Sequence, residues 1–212
     1  MQSMDAATGN TFSAEAHYDA LIDEGNDPVL DPPALKDYMD GWDGDRFFAL
    51  LDLQREHRTL EIGIGTGRLA LRALKTGVRE LVGMDLSQKT LDTTARHLAS
   101  FEGVCLIRGE FPEDAPEGLF DRIYSSLTFL HIENKRAAVR KIAQMLLPGG
   151  RAVISLDKSR DTVLDMGVRQ VSVYPDDPRE IAAMFMECGL NAQIHEVERA
   201  WLVQADKVEL LT

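Results

Sequence analysis

The 212-residue sequence predicts an α/β fold with a mostly parallel, seven-stranded sheet and one reversed strand. Three observations carry this. From Arg58 onward, short apolar runs alternate with helical patterns of about 10–15 residues, the signature of βαβ units. Residues 59–67, Thr-Leu-Glu-Ile-Gly-Ile-Gly-Thr-Gly, run an apolar strand into a turn with glycine at Gly63, Gly65 and Gly67. Near the other end, Ala192–Val197 and Trp201–Ala205 read as strands joined only by Glu198–Ala200. So short a link cannot make a parallel crossover, so this pair is an antiparallel hairpin.

The elements follow in order. Met1–Asn10 lacks a basic start and an apolar stretch, so it reads as a polar lead rather than a signal peptide, with Met4 as an alternative start. Residues 1–57 form an N-terminal helical extension, expected to cap the pocket, and residues 58–212 form the main domain. In the extension, Ala14–Ile22 reads as a short helix and Asn26–Pro33 as a loop, with Pro32-Pro33 opening the next helix. Leu35, Tyr38, Met39, Trp42, Phe47, Leu50 and Leu51 recur at helical spacing. Gly41 and Gly44 interrupt them, which predicts two helices or a bent one.

In the main domain, Leu60–Ile62, Glu80–Asp85, Val104–Ile107, Asp121–Ser125 and Arg151–Leu156 read as five strands. Helices fall between them at Leu69–Lys75, from Ser87 to about Ser100, and from Asn134 through Leu147. Ser87 and Asn134 are capping residues, and Pro148-Gly149-Gly150 stops the last helix. In the tail, Val171–Val173 is a short apolar run and Asp177 caps a helix over Pro178–Cys188. Right-handed crossovers place the carboxyl ends of parallel strands on one rim, where ligands bind. Gly63, Asp85, Glu110 and Ser125 all fall at or just past such ends.

Composition narrows the function. A hydrophobic fraction of 44% supplies a core without disulfides or metals. The formal net charge of −12 opposes phosphate backbones and anionic membranes, so neither nucleic acid nor membrane is an expected partner. No apolar run reaches the length of a membrane helix. Cys105 and Cys188 belong to no metal or redox motif and read as buried, reduced thiols, consistent with a cytoplasmic protein. His17, His57, His97, His131 and His195 are dispersed, and no metal site is predicted.

Glycine permits positive φ and lets a ligand lie against bare backbone. The helix start at Arg68 offers unpaired N–H groups. An acid at the tip of the next strand, Asp85, can accept hydrogen bonds from a ribose diol, although it also precedes a helix it could cap. These features describe a pocket for a nucleoside-bearing cofactor. Dinucleotide-binding loops use Gly-x-Gly-x-x-Gly. Here the spacing is Gly-x-Gly-x-Gly, and Glu61 would repel a pyrophosphate but suits an ammonium.

The whole pattern resembles the class I S-adenosylmethionine-dependent methyltransferases, over roughly Arg58 to Lys207. The resemblance implies a Rossmann-like three-layer sandwich, S-adenosyl-L-methionine as cofactor, and a small-molecule methyl acceptor. It implies that Glu61, Gly63, Ile64, Gly65, Thr66 and Gly67 form the loop under the methionine and ribose, with Asp85 and Leu86 at the ribose. It places Glu110 and Phe111 around the adenine, and Ser125 and Ser126 beside the cofactor after the fourth strand. Leu147-Pro148-Gly149-Gly150-Arg151 looks like the family's turn into strand five. A group of small-molecule methyltransferases also shares the Tyr-Asp…Glu-Gly-Asn-Asp-Pro extension, here Tyr18-Asp19 and Glu24 to Pro28, and Tyr18 is a candidate cofactor contact on that basis. His131, after Thr128-Phe129-Leu130, is the candidate general base or acceptor-binding group, against a plain structural role. Asp19, Asp23, Glu24, Asp27 and Asp31 read as a solvated acidic face, with a cationic acceptor as the other possibility. Trp42 reads as packing. A nicotinamide-dependent oxidoreductase and a non-catalytic cofactor-binding module remain as alternatives, and a monomer or homodimer is expected.

Overall fold

The computed structural model describes residues 10–209, and the predicted lead over residues 1–9 lies outside them. In chain order the extension holds β1 (Asn10–Phe12), α1 (Ala14–Asp23), α2 (Pro33–Asp43) and α3 (Asp45–Leu51). The alternating part holds β2 (Arg58–Ile62), α4 (Arg68–Lys75), β3 (Glu80–Asp85), α5 (Gln88–Leu98), β4 (Val104–Arg108), β5 (Phe120–Ser126), α6 (Lys135–Met145) and β6 (Leu146–Asp157). The last part holds β7 (Val163–Asp165), β8 (Arg169–Ser172), α7 (Pro178–Glu187), β9 (Leu190–Glu196) and β10 (Ala200–Lys207).

The main sheet has strand order β4-β3-β2-β5-β6-β10-β9. β2 pairs in parallel with β3 and β5, and β10 runs antiparallel to both β6 and β9. β10 is therefore the one reversed strand, as the short hairpin link requires. Alternation along each strand feeds two cores. Leu60, Ile62, Val82, Met84 and Ile123 face α6 and α7, through Val139, Ile142, Ile181 and Phe185. Leu81, Tyr124, Val153 and Leu202 face α3, α4 and α5, through Phe47, Leu51, Ala70, Ala73 and Leu91. Helices thus cover both sides, giving three layers.

The helix starts form as their residues dictate. Ser87 Oγ accepts the Thr90 N–H at 3.0 Å, Asn134 Oδ1 accepts that of Ala137 at 3.0 Å, and Asp177 Oδ1 accepts that of Arg179 at 2.8 Å. Gly44 separates α2 from α3, so the extension carries two helices there. α6 stops at Met145 rather than Leu147, because Leu146 already pairs with Phe120 as the start of β6.

Three features depart from expectation. A second sheet, in the order β1-β8-β7, joins the extension to the segment after β6. Its strands are only three or four residues long, too short to leave a periodic pattern. Asn10 begins this sheet instead of ending the lead. Both cysteines are exposed rather than buried: Cys105 lies on β4, the edge of the main sheet, and Cys188 just past α7. No helix among the described residues is long and apolar enough to cross a membrane.

Phe185 is fully buried between α7 and the sheet. Phe185→Ala is expected to cost about 3–5 kcal/mol, read as a lower urea midpoint at unchanged slope.

Candidate functional site

The carboxyl ends of β2, β3, β4 and β5 open onto a cavity of about 250 Å³. Its floor is the Gly63–Gly67 turn, whose glycines have φ values of 72°, 55° and 94°. Their reasons differ. A side chain at Gly63 would strike Thr128, with Oγ1 only 2.0 Å from the new Cβ. At Gly65 a Cβ would meet nothing within 4 Å, so the backbone there borders open space. Gly67 faces away from the cavity, toward Thr94 and Leu98 on α5, and serves close packing.

Asp85, at the tip of β3, holds this turn in place. Its Oδ2 accepts the Gly65 N–H at 3.0 Å and its Oδ1 accepts the Ser87 N–H at 3.0 Å. Burial pushes its carboxyl above the usual range, against those backbone hydrogen bonds, and the nearby Asp19 adds to the rise. Ser87, not Asp85, caps α5. Leu86 and Glu110 line the cavity too, and Phe111 closes it as a buried ring.

Glu61 lies on β2 with its side chain on the α4 side, register partner to Tyr124 on β5. It is 2% exposed, and its Oε2 has no hydrogen-bond partner. Burial raises its carboxyl from the usual 4.5 to about 8, opposed by the Tyr124 hydroxyl and the Arg68 charge. Arg68, on the same wall, donates to Asp43 Oδ2 at 2.6 Å, and Ser126 Oγ donates to that oxygen at 2.5 Å. Asp43, 1% exposed, keeps Oδ1 unpartnered. Ser125 points to the opposite face of β5, its Oγ on the Ile62 carbonyl at 2.9 Å, and does not line the cavity. Period-two alternation forces this: of two successive strand residues, only one can face a given side.

The roof comes from the extension. α1 lays Tyr18 over the cavity, its Oη 2.8 Å from His131 Nε2 and the rings edge-on at 5.4 Å. Burial and the Asp85 charge raise the Tyr18 phenol. His131 sits in the 3-10 turn Phe129–His131 after β5. Its imidazole is driven down to about 4, first by burial and then by the neighbouring His17 and the Lys135 charge, so it is neutral at pH 7. Pro28, Met39, Leu127 and Ile132 complete this end. Leu127 has φ 54°, a left-handed conformation that costs a branched side chain about 1–2 kcal/mol.

The acids of the extension are a solvated face only in part, because Asp23 and Glu24 are exposed yet paired and Asp19 and Asp27 are half-buried. Asp19 accepts from Ser87 Oγ at 2.6 Å, Asp23 pairs with Lys89 at 2.6 Å, and Asp27 lies 3.1 Å from His97 Nε2. Glu24 takes both terminal nitrogens of Arg169, at 2.6 and 2.7 Å. Their partners are scattered between Ser87 and Arg169, which sequence spacing does not reveal. Trp42 packs as expected, donating to Asp157 Oδ2 at 2.6 Å.

Of the sequence candidates, Tyr18, Glu61, Gly63, Ile64, Gly65, Thr66, Asp85, Leu86, Glu110, Phe111, Ser126 and His131 line one cavity, and Gly67 and Ser125 do not. Arg68, Thr128, Met39 and Pro28 were not singled out. Arg68 carried a signal, as the first residue of the helix after the glycine turn. Among the described residues no cluster of His, Cys, Asp and Glu could hold a metal ion.

The raised Glu61 carboxyl gives a pH prediction. The folded chain keeps this proton between about pH 4.5 and 8, where the unfolded chain has lost it, so rising pH erodes stability across that window. Glu61→Gln is expected to remove that loss. Urea titrations of both proteins should agree near pH 4.5 and diverge toward pH 8, with the variant gaining relative to the parent.

A family model described as a methyltransferase domain matches residues 60–154. The chain is 30% identical over 113 residues to phosphoethanolamine N-methyltransferase 3 of Arabidopsis thaliana, covering 51% of this chain and 23% of that protein. It is 30% identical over 150 residues to the uncharacterized methyltransferase YcgJ of Bacillus subtilis, covering 66% of this chain and 57% of that protein. The chain thus spans less than two thirds of the length of these relatives. Among solved structures, an S-adenosylmethionine-dependent methyltransferase from Mesorhizobium loti superposes with a TM-score of 0.68 at 19% identity, covering 78% of this chain and 97% of that one. The DhpI–SAH complex gives 0.71 at 14% identity, covering 92% and 95%. These likenesses share the fold: a parallel sheet with a reversed strand near its edge. Residues 60–154 thus match a methyltransferase domain, and with the glycine turn and the strand-tip acid the chain is similar to the class I S-adenosylmethionine-dependent methyltransferases.

Proposed function

We propose that this chain transfers a methyl group from S-adenosyl-L-methionine to a small molecule, and that residues 1–57 cap the pocket in which this happens. The observation that carries the reading is the unpartnered Glu61 carboxyl oxygen on the floor of a cavity bordered by bare Gly65 backbone and the Asp85 carboxylate, a buried acid that a cationic ligand would ionise. A ligand with an ammonium, a ribose and an apolar base fits that set. Glu61 would take the ammonium and Asp85 the ribose hydroxyls. Gly63, Ile64, Gly65 and Thr66 would form the cradle, with Leu86, Glu110 and Phe111 around the base. Arg68 and the N-terminus of α4 favour a carboxylate. Ser126 and Tyr18 would border the ligand from the rim and the roof. A pyrophosphate would leave the buried Glu61 carboxyl without a cationic partner, which argues against a dinucleotide.

When bound, S-adenosylmethionine supplies a methyl on a sulfonium, already activated for direct displacement. The chain then needs to align donor and acceptor and to exclude water. Tyr18 and the rest of α1 close the cavity from above. Tyr18 keeps its own proton, because burial and Asp85 oppose its loss. His131 is neutral, and its hydrogen bond to the Tyr18 hydroxyl orients the ring. With its imidazole held near 4, it would position the acceptor by hydrogen bonding rather than take its proton, and this pair marks the acceptor end. We propose further that the acceptor is neither nucleic acid nor a membrane component, and that the chain works in the cytoplasm as a monomer or homodimer. The acidic balance of −12 supports the first of these.

Calorimetry with S-adenosylhomocysteine tests the donor side. Asp85→Ala is expected to weaken binding by about tenfold to a hundredfold, the loss of charge-assisted hydrogen bonds. Gly65→Arg should abolish it by filling the cavity. Retained binding in both variants overturns the reading. A radiolabelled methyl-transfer screen across metabolite fractions tests the acceptor side. Tyr18→Phe and His131→Ala should each lower transfer to the acceptor found, with S-adenosylhomocysteine affinity changed much less for His131→Ala.

A further inference from the structure

Arg169 belongs to β8 of the small sheet and does not line the cavity, yet it grips the helix that carries Tyr18. It is 6% exposed. Its Nε donates to His17 Nδ1 at 3.0 Å, and its Nη1 and Nη2 donate to the two Glu24 oxygens at 2.6 and 2.7 Å. His17 and Glu24 are seven residues apart, two turns along one face of α1. One planar guanidinium therefore binds the helix at two levels. Arginine only donates, so His17 must accept at Nδ1 and carry its proton at Nε2. Burial lowers the His17 imidazole, and the Arg169 charge lowers it further, which keeps it in this neutral form. The Tyr18 ring stands edge-on to His17 at 5.2 Å. In the same register, β1 pairs in parallel with β8, Asn10 opposite Arg169, just before α1.

The partner of Tyr18 is fixed separately. Lys135 Nζ donates to the carbonyls of Phe129 and Tyr174, and the Tyr174 N–H donates to the Leu130 carbonyl at 2.7 Å. The turn bearing His131 is thus pinned, and the 2.8 Å contact depends on how α1 is rotated. A side-chain tip lies about 6 Å from a helix axis, so a rotation of about 20° moves it about 2 Å and ends the hydrogen bond.

We propose that Arg169 is a positioning residue for methyl transfer: its three-donor grip on His17 and Glu24 sets the rotation of α1 that brings Tyr18 to His131. This rests on the reading that Tyr18 and His131 mark the acceptor end. Lysine cannot replace it, because it lacks the planar fork and the Nε donor. The charged and titratable groups around His131 are Tyr18 and His17 on α1 and Lys135 on α6, and only the α1 pair depends on Arg169.

The test follows the His131 ring by NMR titration in the full chain, beside S-adenosylhomocysteine calorimetry and radiolabelled transfer to the acceptor from the screen. In the parent, His131 should titrate near 4. In Arg169→Gln, α1 rotates away, water reaches the ring, and the titration should climb toward the ordinary 6.5. Transfer should fall by about tenfold to a hundredfold in kcat. Arg169→Lys should recover only part of both. Glu24→Gln, at a half-exposed site that spares the core, should move both in the same direction by less. A folded Arg169→Gln protein whose His131 titrates as in the parent overturns the proposal. The same holds if Arg169→Gln fails to fold and Glu24→Gln leaves the titration unmoved. If His131→Ala and Tyr18→Phe leave transfer intact while the Arg169→Gln titration shifts, the acceptor-end reading fails and the positioning of Tyr18 by Arg169 stands.

Discussion

The Asp85 carboxylate is the point on which the other parts of the site converge. One oxygen holds the Gly65 N–H, which fixes the glycine turn against the end of β3. The other holds the Ser87 N–H, which fixes the start of α5. Ser87 in turn caps α5 and donates its hydroxyl to Asp19 on α1, one residue from Tyr18. A single side chain at a strand tip thus connects the floor of the cavity, the wall and the roof. Burial opposes its negative charge, and two backbone N–H groups offset much of that cost. The same two donors orient the carboxylate, so its remaining lone pairs are presented in a fixed direction.

The acidity of the chain has a structural use that overall charge hides. Asp19, Asp23, Glu24, Asp27 and Asp43 each meet a donor outside the extension, on residues spread from Arg68 to Arg169. The exposed pairs, such as Asp23 with Lys89, contribute little individually. The buried ones differ. Asp43 and Arg169 are almost wholly enclosed, and losing either partner would strand a charge out of water. The extension is therefore held by geometry at a few buried points and by weak attraction elsewhere.

Much of this was legible in the sequence, for a physical reason. Strand tips, glycine turns and capping residues act over a few positions, so Asp85, Ser87, Gly63 and Gly65 announce themselves by local spacing. Glu61 was legible in kind, as an acid inside an apolar strand, but its unpartnered oxygen depends on what packs above it. Ser125 and Gly67 share the rim in sequence but do not line the cavity, because rim position is a one-dimensional reading, whereas facing depends on the pleat and on α5. The small sheet, the Arg169 grip and the acid latches join residues more than sixty positions apart. No local pattern encodes such partners. The cysteines illustrate the limit from the other side, since an apolar run on an edge strand exposes one flank to solvent.

This division has a consequence for substrate choice. The stretch matched by the family model, residues 60–154, holds Glu61, the glycine turn, Asp85, Glu110 and His131. It lacks Tyr18, Met39, Pro28 and Arg169, which come from the extension and from the insertion after β6. The proposed donor side thus lies mostly within one contiguous block, while the proposed acceptor side joins His131 of that block to segments outside it. On the proposed function the donor would be held by local backbone geometry at the glycine turn. The acceptor would be shaped by the docking of α1, so changes in the extension or in the small sheet would alter specificity without touching the proposed cofactor site.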